Sequence, residues 1–98
     1  MITIDQIRED LRDIRYYYSM QELFDKASSK VRPVAVLNKV QQYNEIIKNS
    51  PARMYIIYVS LYVQNNSQTE LADQWGFTRE YIKELNQKLV EYLHSILN

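Results

Sequence analysis

With 98 residues, twelve basic side chains against twelve acidic ones and a formal net charge of zero, the chain is one domain with room for a modest core. It has no cysteine, which excludes disulfides and thiolate metal sites, and its lone His94 cannot build a histidine metal cluster. One glycine and two prolines favour long helices with short connections over a turn-rich sheet.

The predicted elements, five in all, are helical. Thr3-x-x-Gln6 caps a first helix in which Ile4, Ile7, Leu11, Ile14 and Tyr18 alternate at spacings of three and four. Ser19-x-x-Glu22 offers a second start, because Met20, Leu23, Phe24 and Ala27 shift to a new face; two helices or one bent helix satisfy that break. Ser28 to Pro33 is a breaker region, since proline lacks an N–H and disfavours helix at the residue before it. Helix resumes from Val34 to Lys48, with Leu37, Val40, Tyr43 and Ile47 on one stripe. Ser50-Pro51 reads as an N-cap followed by the first helical residue. The helix that follows, to about Val63, is apolar nearly all round, as suits a central element packed on several sides. Tyr55, Tyr58 and Tyr62 follow helical spacing within it and are expected in the core, hydroxyls at its edge. The apolar run Met54 to Val63 is too short to cross a bilayer. No basic stretch followed by an apolar one opens the chain, so a cytoplasmic protein without membrane contact is expected.

After a loop at Gln64 to Asn66, the chain carries its most specific signal. Ser67-x-x-Glu70 is a capping box for a short helix whose Leu71 and Ala72 face inward, the small Ala72 allowing a second helix to cross closely. Gly76, the only glycine, falls where a tight corner needs positive φ. Thr78 is an N-cap for the last helix, Arg79 to about Leu97, in which Ile82 and Leu85 close the core over Ala72. Trp75 and Phe77 flank the glycine and are expected to pin the two helices together. His94 is expected at the surface of the last turn, where partial positive charge suits the helix dipole. In register, these features spell a helix-turn-helix, the unit that lays a helix in the DNA major groove. The fold class is thus all-α, a compact helical domain of about five helices ending in a helix-turn-helix.

Ser50-Pro51 opening an apolar helix, the Asn65-Asn66-Ser67 loop and the run Leu71-Ala72-Asp73-Gln74-Trp75-Gly76-Phe77-Thr78-Arg79-Glu80-Tyr81-Ile82-Lys83-Glu84-Leu85 resemble region four of bacterial sigma factors. The size and the tyrosine-rich upstream segment are similar to the small sigma-like ArpU-type transcriptional regulators of phages. The resemblance implies sequence-specific binding of double-stranded DNA and transcriptional control of phage or mobile-element genes. It covers residues 50–93 well and the stretch from Tyr16 weakly. Tyr81 and Glu84 stand where the sigma pattern often has Arg and Gln, so target sequence and phosphate grip differ.

The charge is unevenly spread. Residues 1–25 hold three arginines and six carboxylates, net −3; residues 26–65 hold six cations and one carboxylate, net +5; residues 66–98 hold three cations and five carboxylates, net −2. Phosphate anchoring is therefore expected from the middle segment, through Lys26, Lys30, Arg32, Lys39, Lys48 and Arg53, helped by helix N-termini. Modest affinity per monomer follows, and a homodimer is expected, reading half-sites about one helical turn (~34 Å) apart.

The outward positions of the last helix are Thr78, Arg79, Glu80, Lys83, Glu84 and Gln87. Arg79 and Lys83 suit guanine edges or phosphates, Glu80 or Glu84 can accept from cytosine N4, and Gln87 can pair with adenine or touch phosphate. Gln68 and Thr69, opening the preceding helix, suit the flanking phosphates. The plain alternative is a solvated face, but Glu80 and Glu84 form a like-charge pair at i,i+4 that mildly disfavours the helix, which leans towards function.

The stripe Ile4, Ile7, Leu11, Ile14, Tyr18 is shorter than a sustained coiled coil, so packing within the monomer and pairing of two copies through residues 1–48 both stay open. Arg8, Arg12 and Arg15 share a face beside acidic neighbours; an exposed salt-bridged surface is favoured there over a nucleic-acid patch. Tyr16, Tyr17 and Tyr18 permit single-strand stacking only as a minor reading. Nothing points to an enzyme or a cofactor: no cysteine nucleophile, no base with an orienting partner and no glycine-rich phosphate loop are present. The alternative to DNA binding is a protein-interaction module whose acidic C-terminal face docks on RNA polymerase or another regulator. A small phage DNA-packaging or replication subunit is a third reading.

Overall fold

Hydroxyl caps set three of the helix starts. Thr3, Ser67 and Thr78 each accept from the backbone N–H three residues on, at 3.1, 3.0 and 3.1 Å. The computed structural model describes residues 1–20 and 34–98, which are all-α with no strand among them. The helices are α1 (Ile4–Ser19), α2 (Val34–Lys48), α3 (Ala52–Tyr58), α4 (Gln68–Trp75) and α5 (Arg79–Leu97), and α3 runs on into a π-helical segment, Val59–Val63.

One expected start differs. Ser50 caps nothing: its hydroxyl donates back to the Ile47 carbonyl at 2.6 Å, held over the end of α2 by the short connection. Pro51 takes the cap position, its carbonyl accepting from the N–H groups of Met54 and Tyr55. Ser19 is the last residue of α1, its hydroxyl donating to the Tyr16 carbonyl at 2.8 Å. The rest of the stretch expected to start there, Leu23 to Ala27, and the breaker at Ser28 to Pro33 lie outside the described residues.

The periodicity of α1 places Ile7, Leu11 and Ile14 in the core, with at most 1% exposure. There α1 packs on the π-helical segment, α5 and α2, while α5 packs on α4, α3 and α1. The α1 stripe is thus spent inside one copy of the chain, and pairing of two copies would need another surface. The chain's ends meet as well: the Asn98 side chain accepts from the Ile2 N–H at 3.1 Å and donates to the Ile2 carbonyl at 3.0 Å, so α1 and α5 run antiparallel.

The segment from Pro51 to Val63 is neither one regular helix nor buried all round. Tyr58, Leu61 and Tyr62 are buried, but Tyr55 and Ile56 are about half exposed, at 49% and 47%. Within the π-helical segment the Gln64 N–H reaches the Val59 carbonyl, five residues back, at 2.8 Å. That wider turn resets the helical phase, so Tyr55 and Tyr62, in register on a regular helix, no longer share a face.

A buried polar cluster ties α1 to α2. Asp10, 5% exposed, accepts from the Tyr43 hydroxyl at 2.7 Å and from Gln6 Nε2 at 2.9 Å, and pairs with Lys39 Nζ at 3.0 Å. Lys39 also reaches Asp13 at 3.0 Å. Burial pushes the Asp10 carboxyl up, but the bonds from Tyr43, Gln6 and Lys39 outweigh it and leave the carboxyl below its ordinary value. A carboxyl depressed by folding contributes stability above its unfolded value and loses that contribution as pH falls through the folded one. Thermal melts followed by circular dichroism are therefore expected to drop below about pH 4, with a shallower drop for Asp10→Asn. Asp10→Ala, which strands the Tyr43 hydroxyl, is expected to cost about 1–3 kcal/mol at neutral pH.

The corner between α4 and α5 turns on Gly76, at φ +70°. The Phe77 N–H donates to the Ala72 carbonyl at 3.0 Å, the six-to-one bond of a Schellman-type helix end. Leu71 and Ala72 of α4 are buried, as are Ile82 and Leu85 of α5. Of the flanking aromatics, only Trp75 packs against the core; Phe77 is 51% exposed and sits edge-on to Tyr81, ring centroids 4.9 Å apart. The left-handed residue sends the chain outward, so Phe77 covers the first turn of α5 rather than clamping two helices. A Cβ at position 76 would meet nothing within 4 Å, so only the backbone resists substitution there. Gly76→Ala is expected to lower unfolding free energy by about 1–2 kcal/mol and Gly76→Asn by less, since asparagine tolerates this conformation, as chemical denaturation would report.

Candidate nucleic-acid interface

The first half of α5 is two-sided. Ile82 and Leu85 are buried, while Thr78, Arg79, Glu80, Lys83 and Glu84 are exposed. No part of the described chain covers the Arg79 and Lys83 side. The Thr78 hydroxyl accepts from the Tyr81 N–H at 3.1 Å, which leaves its own proton free to donate outward.

A shallow hollow of about 370 Å³ brings five of the eight sequence-derived residues together: Gln68 from α4 with Glu80, Lys83, Glu84 and Gln87 from α5. Thr69, Thr78 and Arg79 are exposed but do not line it. Two more residues complete the wall, Asn86 and Arg8, and sequence reasoning missed both. Arg8 comes from α1 and donates through Nη2 to Gln87 Oε1, 79 residues away in sequence. Local spacing holds no signal for such a contact; the antiparallel packing of α1 on α5 creates it. Gln87 is consequently half-buried and engaged, unlike the free outward side chain expected of it, and its Nε2 donates to Glu91 at 3.3 Å.

Asn86 accepts from the Tyr62 hydroxyl beneath the hollow. Burial pushes the Tyr62 phenol up, against the opposing effects of Asn86 and of the Arg8 and Arg15 charges, so it stays a neutral donor. Asn65, at φ 61°, ties the neighbouring loop to α1. Its amide lies 3.3 Å from Arg15 Nε and, turned over, reaches the Arg15 carbonyl at 3.2 Å.

Two electrostatic expectations change. Among the described residues none of Arg8, Arg12 and Arg15 pairs with a carboxylate, so their face is not the salt-bridged surface expected. The reason is that Lys39 takes Asp10 and Asp13 on the opposite side of α1. Of the described cations of the middle segment, Lys39 is so engaged and Lys48 lines a separate hollow with Tyr18 and Tyr55, whereas Arg53, exposed, lines an apolar groove beside the α4–α5 corner. Lys26, Lys30 and Arg32 lie outside the described residues.

That apolar groove, about 250 Å³, runs beside the corner between Ile56, Trp75, Phe77, Tyr81 and Leu85. Among the described residues no group of three or more His, Cys, Asp or Glu side chains is placed to hold a metal ion, and no helix is long and apolar enough to cross a membrane. No family model, curated protein or solved structure matches the chain.

Proposed function

We propose that the chain is a sequence-specific, double-stranded DNA-binding transcriptional regulator of phage or mobile-element genes that reads the major groove with α5. The observation that carries this reading is the exposed row Thr78, Arg79, Glu80, Lys83 and Glu84, held outward by a buried stripe on the same helix and seated on α4 by a glycine corner. A groove about 12 Å wide admits one helix, and the first turns of α5 present the donors and acceptors that base edges require. Arg79 and Lys83 are the guanine or phosphate contacts, Glu80 and Glu84 the acceptors for cytosine N4, and Gln68 and Thr69 the flanking phosphate contacts. A homodimer on two half-sites supplies the specificity that one small face lacks.

A protein-interaction reading, with RNA polymerase as the partner, has one observation in its favour: the apolar groove beside the corner, open at Ile56 and Phe77. Salt separates the two readings, since phosphate contacts weaken steeply with ionic strength and apolar contacts do not.

Selection of bound fragments from a random duplex pool is expected to return a defined motif. Arg79→Ala is expected to relax preference at one position of that motif, by about 1–3 kcal/mol of discrimination. Recovery of unenriched fragments by the wild-type chain would overturn the reading.

A further inference from the structure

Helix α1 carries its charges on two sides. At 100° per residue, Arg8, Arg12 and Arg15 fall within about 60° of one another, while Asp13 is turned about 100° from Arg12 and Asp10 about 200° from Arg8. The acidic side is neutralised inside the molecule, because Lys39 binds both Asp10 and Asp13. The remaining acidic side chains of the helix, Asp5 and Glu9, lie beside the row, Asp5 about 60° from Arg8 and Glu9 about 60° from Arg12, yet among the described residues neither pairs with an arginine. The arginine row is left without a carboxylate partner among the described residues, Arg12 exposed and Arg8 and Arg15 half-buried, against what the net charge of −3 over residues 1–25 implies.

This row is continuous with the α5 face. Arg8 stands in the wall of the hollow that holds Gln68, Glu80, Lys83 and Glu84. Arg12 and Arg15 line the adjoining hollow, with Tyr16, 60% exposed, beside them. Helices in contact lie about 8–10 Å apart, and a major groove about 12 Å wide is bounded by ridges of phosphate. A helix packed alongside a groove-bound α5 therefore rides over a ridge. From Arg8 to Arg15 α1 advances about 10.5 Å, the rise of about three steps of one strand.

From this geometry we infer that the Arg8, Arg12, Arg15 face of α1 is a phosphate clamp: it grips the backbone of the same duplex that α5 reads and supplies the positive charge that the α4–α5 unit lacks. The inference rests on the DNA-binding reading above and adds to it the element that provides affinity. Arg8 is braced by Gln87 and so couples the clamp to α5, whereas Arg12, exposed, and Arg15 against Asn65 make the outer contacts.

The test is the salt dependence of binding by the whole chain, read by fluorescence anisotropy on a labelled duplex recovered by selection and on a shuffled one. Arg12→Ala and Arg15→Ala are each expected to reduce the slope of log affinity against log salt by about 0.9, so that a fourfold rise in salt costs the variant about 3.5-fold less affinity than the wild type. The reduction should be equal on both duplexes, because phosphates carry no sequence information. Arg12→Lys and Arg15→Lys, which keep the charge, should restore the slope, and circular dichroism should show all four variants folded. Unchanged slopes in folded alanine variants that still bind would overturn the clamp and leave the DNA reading standing. A wild-type chain that binds neither duplex would overturn both.

Discussion

The placement of every candidate side chain depends on the buried stripe of α5. Ile82, Leu85, Leu89, Val90 and Leu93 are at most 4% exposed, and they fix the rotation of the helix about its own axis. Once that rotation is set, positions 79, 80, 83 and 84 have no choice but to point outward. An α-helix offers roughly a 100°-wide stripe to its core and leaves the rest to solvent. The helix rests on α4, α3 and α1, so one helix serves as both the spine of the core and the carrier of the exposed face. Losing core packing here would also lose the aim of the site, a coupling that a loop-borne site would not have.

The glycine corner and the polar cluster between α1 and α2 hold this spine from two ends. Gly76 sets the angle at which α5 leaves α4. The Asp10, Tyr43, Lys39 cluster sets the rotation of α1, because a buried carboxylate with three partners tolerates little reorientation. The same cluster has an electrostatic effect. By absorbing two carboxylates of α1, it separates the charges of a net-neutral chain onto different sides of one helix. Net charge sums over the sequence, whereas an approaching polyanion meets only the face turned towards it.

Much of the fold was legible in the sequence, and for local reasons. Capping hydroxyls at Thr3, Ser67 and Thr78, the single glycine, and the three-four spacing of Ile7, Leu11 and Ile14 act within one or two turns, and the structure uses them all. What escaped depends on partners far along the chain. The Arg8 contact with Gln87, the engagement of Lys39 and the exposure of Tyr55 follow from packing and from a π-helical turn that residue spacing does not announce. Ser50 shows the same limit at short range, because a hydroxyl between two helices can serve the end of one or the start of the next. The exposed residues of α5 could be placed outward from periodicity alone. That Gln68, Glu80, Lys83, Glu84 and Gln87 share a hollow with a side chain of α1 could not.

The acidic residues of the α5 face, on the proposed reading, are a source of discrimination rather than a defect. A carboxylate entering the groove is repelled by phosphates on every duplex and loses hydration wherever it meets another acceptor. Only an exocyclic amino donor, cytosine N4 or adenine N6, offsets that loss. Glu80 and Glu84 would therefore weaken binding to most sequences more than they strengthen binding to one, which is specificity by penalty. Such a face cannot also supply affinity, and a monomer built on it alone would leave the duplex quickly. Cations placed off the reading helix, where they meet backbone and not bases, resolve the conflict because they raise affinity equally on all sequences and leave the discrimination intact. On that reading, the division of labour between an α5 that rejects and an α1 that holds would let a neutral chain of this size distinguish one duplex from another.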